Sequence, residues 1–265
     1  MSAASDKPLV LLSNDDGYLA PGIRALRDVL LARGGYEVWL VAPERERSAV
    51  SQAISLHKPL RVQAWEDKAY WCSGTPADSI YLALVHLLPR QPAVVLSGIN
   101  RGINIGEDVL YSGTVAAAIE ATLHGIPALA LSLDVDRGED YHSAASVAAR
   151  ILDDVVTRGL PQRTFLNVNL PGDISPRAGF EVTRQGHRVF ERQVTEHMDP
   201  RGRPYYWIGG PRLAYQEAPG SDAAALAAGK TSVTPIQLDW THHHWLAELE
   251  GWGSRTEKHD EEGVP

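Results

Sequence analysis

The sequence predicts an α/β fold in which helices cover both faces of a mostly parallel sheet. Three observations carry that expectation. Strand-like and helix-like segments alternate through the first 170 residues, the order a parallel sheet requires, because each crossover between parallel strands takes a helix. The first apolar run, Leu9–Ser13, stops at two adjacent carboxylates, Asp15-Asp16, with Gly17 and Pro21-Gly22 close behind, which marks a buried strand with a sharp end. Beyond Pro171 the character changes to Pro, Gly, aromatics and short alternating runs. Residues 1–170 therefore read as the core. Residues 171–250 read as a β arm and a C-terminal segment that complete the same domain, and the charged composition of 251–265 reads as a disordered tail.

The elements follow in order. Leu9–Ser13 is a strand. Pro21 suits the first helical position, and Ile23, Leu26, Leu30 and Leu31 form a helical stripe over 22–31, ended by Gly34-Gly35. Residues 37–42 are a second strand closed by Pro43, and 56–62 mix polar and apolar residues as a further strand. A helix is expected over 76–88, a short apolar strand over 93–97, and a small-residue helix over 114–124 opened by Ser112-Gly113. Then come a strand at 127–133, a helix at 143–156 and a strand at 164–170. Past Pro171, strands are expected at 180–184 and 205–208. The polar stretch 185–204 reads as a protruding hairpin over the site or onto a partner subunit. A short helix at 222–228, a strand at 232–238 and a helix at 241–249 complete the chain.

Composition narrows the function. The formal charge is -8, from 25 Lys and Arg against 33 Asp and Glu, and an acidic chain lacks the basic face that duplex nucleic acid requires. The single Cys72 cannot form an internal disulfide and reads as a small buried residue. No apolar run is long enough to span a membrane, and the first residues lack a signal peptide's apolar stretch; the chain reads as cytoplasmic.

Chemistry-bearing residues gather where strands end. Asp15 and Asp16 follow the first strand, Glu44-Arg-Glu-Arg-Ser48 the second, and Ser97-Gly-Ile-Asn100-Arg-Gly-Ile-Asn104 the strand at 93–97. In a parallel sheet these ends lie at one edge, where ligands bind. Together they bring two carboxylates, a hydroxyl and a carboxamide, oxygen donors suited to Mg²⁺, Mn²⁺ or Ca²⁺ rather than zinc. An Asx-rich turn capping the next helix would use the same first residues. Ser112-Gly113-Thr114 opens a helix, whose N-terminal N–H groups form an anion site; an ordinary N-cap has the same sequence. Gly98, Gly102 and Gly106 do not match a dinucleotide-binding spacing. His242-His243-His244 are adjacent on a helix and share no face, so they read as a solvated or interface cluster rather than a zinc site.

Five ordered motifs, Ser13-Asn-Asp-Asp-Gly-Tyr-Leu-Ala-Pro-Gly22, Val41-Ala-Pro-Glu-Arg-Glu-Arg-Ser48, Ser73-Gly-Thr-Pro-Ala-Asp78, Ser97-Gly-Ile-Asn-Arg-Gly-Ile-Asn104 and Tyr111-Ser-Gly-Thr-Val115, resemble the survival protein E (SurE) family. The resemblance runs from about residue 9 to 240. It implies a Rossmann-like core with an extended β arm and a C-terminal segment, both used in oligomer formation, and a homodimer or homotetramer. It implies hydrolysis of nucleoside 5′- and 3′-monophosphates to nucleoside and phosphate. One divalent cation per subunit would be held by Asp15, Asp16, Ser48 and Asn100, with phosphate at Asn104, Ser112, Gly113 and Thr114, and Asp15 or Asp16 orienting the attacking water. The chain departs from the family at Ala49, where a Gly often follows the Ser, and at Glu107, where many members have Asp.

Other readings share the same residues. A broad phosphomonoesterase or exopolyphosphatase would use the same site. A non-catalytic phosphoreceiver would need an acceptor Asp where Ser97-Gly-Ile-Asn100 stands and a Lys where Pro171 follows the strand at 164–170. A structural metal-binding oligomer would release no phosphate.

Overall fold

The computed structural model describes residues 7–189, 194–208 and 214–253. Its strands are β1 (Leu9–Ser13), β2 (Glu37–Pro43), β3 (Val62–Glu66), β4 (Ala69–Cys72), β5 (Val94–Arg101), β6 (Ala128–Asp134), β7 (Thr164–Pro171), β8 (Phe180–Val182), β9 (His187–Val189), β10 (Val194–Met198), β11 (Pro204–Ile208), β12 (Ala214–Gln216) and β13 (Thr231–Gln237). Its α-helices are α1 (Pro21–Arg33), α2 (Pro76–Leu82), α3 (Gly113–Leu123), α4 (Tyr141–Arg158), α5 (Asp222–Ala227) and α6 (Leu246–Gly253).

The main sheet has the order β3-β4-β2-β1-β5-β6-β7-β13-β8. From β4 to β7 every neighbouring pair is parallel, while β3 and β13 join antiparallel. The expected α/β fold is present. Alternate side chains of a strand face opposite sides, and here both sides are covered. Val10, Leu12, Val94 and Leu96 pack with α1 and α4, whereas Leu11 and Val95 pack with α2 and α3. That is why these strands are continuous apolar runs. Because β1 lies between β2 and β5, the chain's winding reverses beside β1, and the carboxyl ends there open a crevice.

Gly22 belongs to this frame. A Cβ there would stand 1.9 Å from the Ile99 carbonyl oxygen, so only a residue without a side chain lets the first turn of α1 lie on β5.

The expected strand at 56–62 is not formed. Residues 44–61 carry no regular secondary structure, and Pro59 removes a ladder donor from that stretch. The edge is made instead by the β3–β4 hairpin, with a register shift between Ala64 and Glu66 and Lys68 in the left-handed region at its turn. The helix expected over 76–88 is α-helical only to Leu82 and continues as a π-helical turn, Ala83–Leu87. The last helix begins later than expected. A 3₁₀ turn, His243–Trp245, precedes α6, which carries helix through 251–253, residues read from sequence as tail. Residues 254–265 lie outside the described residues.

The polar stretch after β8 forms two antiparallel ribbons, β9 with β12 and β10 with β11. Every residue of β10 and β11 is exposed. At the ribbon's turn the Asp199 carboxylate accepts from the Arg201 and Arg203 backbone N–H groups and from Arg203 Nε, so Arg203 is a turn partner. Among the described residues no helix is long and apolar enough to cross a membrane.

Candidate active site

The crevice at the carboxyl ends of β1 and β5 is a cleft of about 590 Å³. Asp15, Ser48, Asn100, Asn104 and Ser112 line it, so residues up to 97 positions apart in the chain meet on one wall. Asp16 sits beside it, and Gly113 and Thr114 stand behind Asp15.

The turn after β1 separates two roles that the sequence left merged. Asn14 makes the Asx turn: its Nδ2 donates to the Gly17 carbonyl at 2.8 Å, and its Oδ1 accepts from Gly17 N–H at 3.2 Å. Asp15 and Asp16 are thereby left to the site. Asp15 is 3% exposed. The Thr114 hydroxyl donates to its Oδ1, and Gly113 packs so close that a Cβ there would stand 2.7 Å from the Asp15 Cβ. Asp16 Oδ2 accepts from the Arg101 backbone N–H at 3.0 Å. Burial pushes the Asp15 carboxyl up to about 6, with the Asp16 charge adding and Thr114 opposing. Burial also raises Asp16, and Glu46 nearby adds to it. Two carboxylates held above their ordinary range are short of positive charge.

The third donor comes from β5. Its ladder with β6 slips between Ser97 and Asn100. Gly98 has φ +131, and a Cβ there would meet the Leu131 carbonyl oxygen at 2.3 Å. This glycine-dependent irregularity carries Asn100 to the cleft, where its Nδ2 is committed to the Gly102 carbonyl at 2.8 Å and Oδ1 is left as donor atom. Ser48 is exposed, and its hydroxyl donates to Glu46 Oε1 at 2.8 Å, leaving oxygen lone pairs free. Ala49 beside it has φ +56, the conformation glycine adopts without strain. Ala49→Gly is therefore expected to stabilise the protein by roughly 0.5–1 kcal/mol, read from the urea midpoint; a lowered midpoint would show that this loop is not strained.

Ser112 is the N-cap of α3, its Oγ accepting from Val115 N–H at 3.1 Å. Thr114 is fully buried, so its side chain serves Asp15 rather than the cleft. Asn104 is anchored on all sides: Nδ2 donates to Ser132 Oγ at 2.8 Å, N–H donates to Asn169 Oδ1, and its carbonyl accepts from Asn167 and Asn169.

Sequence reasoning missed a second wall. Arg188 lines the cleft from β9 and pairs with Asp108 Oδ1 at 2.9 Å, while the Tyr215 hydroxyl donates to Asp108 Oδ2. Glu107 accepts from Arg188 N–H and pairs with His187 Nδ1 at 3.0 Å, so these two acids fasten the arm's base to the site.

Among the described residues there is no group of three or more His, Cys, Asp or Glu side chains placed to hold a metal ion. The available set is two carboxylates with neutral oxygens, all hard donors, and its unmet negative charge fits a divalent cation that keeps part of its coordination for water.

Comparison with known proteins identifies the chain's relatives. Residues 10–192 match the family described as Survival protein SurE. The chain is 47% identical over 251 residues to the 5′-nucleotidase SurE of Myxococcus xanthus, covering 94% of this chain and 95% of that protein. It is 48% identical over 252 residues to the 5′-nucleotidase SurE of Symbiobacterium thermophilum, covering 92% and 98%. The crystal structure of the SurE protein from Aquifex aeolicus superposes with a TM-score of 0.80 at 38% identity, covering 93% of this chain and all of that one.

Proposed function

This chain belongs to the Survival protein SurE family, and on that premise we propose that it is a 5′-nucleotidase that also accepts 3′-monophosphates, releasing phosphate from nucleoside monophosphates with one divalent cation per subunit. The observation that carries this reading is the convergence of Asp15, Ser48, Asn100, Asn104 and Ser112 on one cleft. Asp15, Asp16, Ser48 and Asn100 would hold the cation, Mg²⁺, Mn²⁺ or Ca²⁺. Bound there, it supplies positive charge for the phosphoryl oxygens and makes water a better nucleophile.

The chain's own groups do the rest. Ser112 keeps its hydroxyl hydrogen for a phosphoryl oxygen, since its Oγ acts only as acceptor toward Val115. Ser112 meets the cleft at the positive end of α3, while Gly113 and Thr114 turn to Asp15 behind it. Asn104 is held in one orientation by four hydrogen bonds with three partners, so it meets substrate without first being ordered. Asp15 or Asp16 would orient the attacking water or accept its proton. Thr114 fixes the Asp15 carboxylate through Oδ1. The exposed apolar side chains of the arm and of the C-terminal segment, among them Tyr206, Trp207, Ile208, Trp240 and Trp252, support contacts between copies in a homodimer or homotetramer.

The test is phosphate release by the pure protein from a panel of nucleoside 5′- and 3′-monophosphates, p-nitrophenyl phosphate and polyphosphate, with Mg²⁺, Mn²⁺, Ca²⁺ or EDTA. Metal-dependent release that favours the nucleotides is expected. Equal turnover of every ester would make it a general phosphomonoesterase, and no release would leave a non-catalytic protein.

A further inference from the structure

One motif remains without a role in this reading, Ser73-Gly-Thr-Pro-Ala-Asp78. Its residues lie away from the cleft wall. Locally it opens α2 with a capping box: Asp78 N–H donates to Thr75 Oγ1 at 3.1 Å, and Thr75 N–H donates to Asp78 Oδ2 at 2.9 Å. Gly74 is required by the same packing, because a Cβ there would stand 2.4 Å from that Oδ2. A capping box needs no more than this.

Both side chains nevertheless make a second bond, and both reach the same distant segment. Asp78 is 2% exposed, and its Oδ1 accepts from Ser55 N–H at 2.8 Å. The Thr75 hydroxyl donates to the Ala53 carbonyl at 2.7 Å. The Ser73 carbonyl accepts from Arg47 Nη2 at 2.9 Å. Every one of these partners lies within 44–61, the stretch that carries Ser48 and has neither helix nor strand. An irregular segment of that length has no ladder to define it, so its contacts define it. On its other side Arg47 N–H donates to the Asp15 carbonyl at 2.7 Å, and Ser51 bonds the Leu110 and Tyr111 carbonyls just before α3.

We propose that Thr75 and Asp78 are positioning residues for the reaction: through Ala53 and Ser55 they fasten the irregular segment against the cleft and so set where Ser48 stands relative to Asp15 and Asn100. The inference rests on the reading of Ser48 as a cation ligand. It explains why a helix cap far from the chemistry commits both oxygens of a buried carboxylate, one to its own helix and one to a residue 23 positions away.

The test uses the full chain carrying Asp78→Asn, Thr75→Val or Thr75→Ser. Asn keeps one acceptor and loses the other. Val removes the bond to Ala53 together with the cap's acceptor for Asp78 N–H, and Ser retains both. Three quantities are read: amide exchange over 44–55 against that over α3 and β1, Mn²⁺ affinity from the paramagnetic signal of free Mn²⁺, and kcat and KM for AMP. Asp78→Asn and Thr75→Val are expected to speed exchange in 44–55 and at the capped first turn of α2, and to leave α3 and β1 unchanged. They should weaken Mn²⁺ binding about tenfold, the usual scale for groups that orient metal ligands, with kcat largely recovered at saturating Mn²⁺. Thr75→Ser is expected to restore both. Unchanged loop exchange and Mn²⁺ affinity in Thr75→Val would overturn the proposal, as would exchange that rises equally in α3 and β1, since that marks general destabilisation. Should Asp78→Asn fail to fold, the Val and Ser pair decides. A wild-type protein that neither binds Mn²⁺ nor releases phosphate would defeat the nucleotidase reading itself and this inference with it, an outcome distinct from wild-type behaviour in the variants.

Discussion

Asp15→Asn is expected to lower AMP hydrolysis by about a thousandfold or more, since the site loses a charged cation ligand and a proton acceptor at once, while leaving a folded protein. Folding should survive because Asn is isosteric and its Oδ1 still accepts from the Thr114 hydroxyl. Stability gives an independent readout. The Asp15 carboxyl is raised from 3.8 to about 6 by burial, so the folded state binds its proton more tightly than the unfolded state does. For the metal-free protein the ionised carboxylate is then a cost. It is absent below about pH 4, where the group is protonated in both states, grows between 4 and 6, and is full above about 6. A shift of that size corresponds to roughly 3 kcal/mol at most. Asp15→Asn should therefore melt higher than the wild type in EDTA at pH 8, by a margin that vanishes at pH 4, and excess Mn²⁺ should stabilise only the wild type. Full turnover by the variant with excess AMP and Mn²⁺ would remove the role assigned to Asp15.

The legible parts of this fold are those whose environment is simple. β1, β5 and β6 are covered on both faces and read as unbroken apolar runs. α3 is almost entirely buried and announces itself by small residues after Ser112-Gly113. The residues proposed to hold the cation were legible as a group because each follows an apolar run, and strand order brings the ends of those runs together, although Asn100 itself still lies within β5. Elsewhere the decisive partners are distant. β3 and β4 form an edge hairpin whose half-exposed residues carry no clear period, and Pro59 excludes the neighbouring stretch that looked equally suitable. Arg188 is held in the cleft by Asp108, 80 positions earlier, which in turn accepts from Tyr215, 107 positions after that Asp. No local pattern encodes such a triad. Thr114 shows a subtler limit: its place at the site was legible, but that its hydroxyl turns inward to Asp15 depends on the approach permitted by Gly113.

Asp222 was equally invisible in sequence, where it reads as the acidic first residue of a short Ala-rich helix, and its replacement is expected to give the largest loss of stability. The side chain is fully buried. One carboxylate oxygen accepts from Gly186 N–H and Ala223 N–H, each at 2.8 Å, and the other from Gly106 N–H at 3.0 Å. Gly186 stands at the base of the arm, and a Cβ there would come within 2.5 Å of Asp222 Oδ1. Gly106 begins the turn that carries Glu107 and Asp108. A single carboxylate thus joins the arm, α5 and the rim of the cleft, and does so where water cannot substitute. Asp222→Ala leaves two loop N–H groups buried without acceptors and opens a cavity between them. At about 1–3 kcal/mol for each orphaned donor, the total is expected near 3–5 kcal/mol, read as a fall in the urea midpoint at fixed protein concentration. Asp222→Asn should lose less, because its Oδ1 can still serve Gly186 and Ala223 while its Nδ2 meets the Gly106 N–H, donor against donor. The order Ala below Asn below Asp is the critical outcome. Equal midpoints for all three would show that neither the charge nor the three bonds hold the arm to the site. Should Asn alone match the wild type, the link to Gly106 would be dispensable, and the cleft rim would owe its position to Glu107 and Asp108 instead.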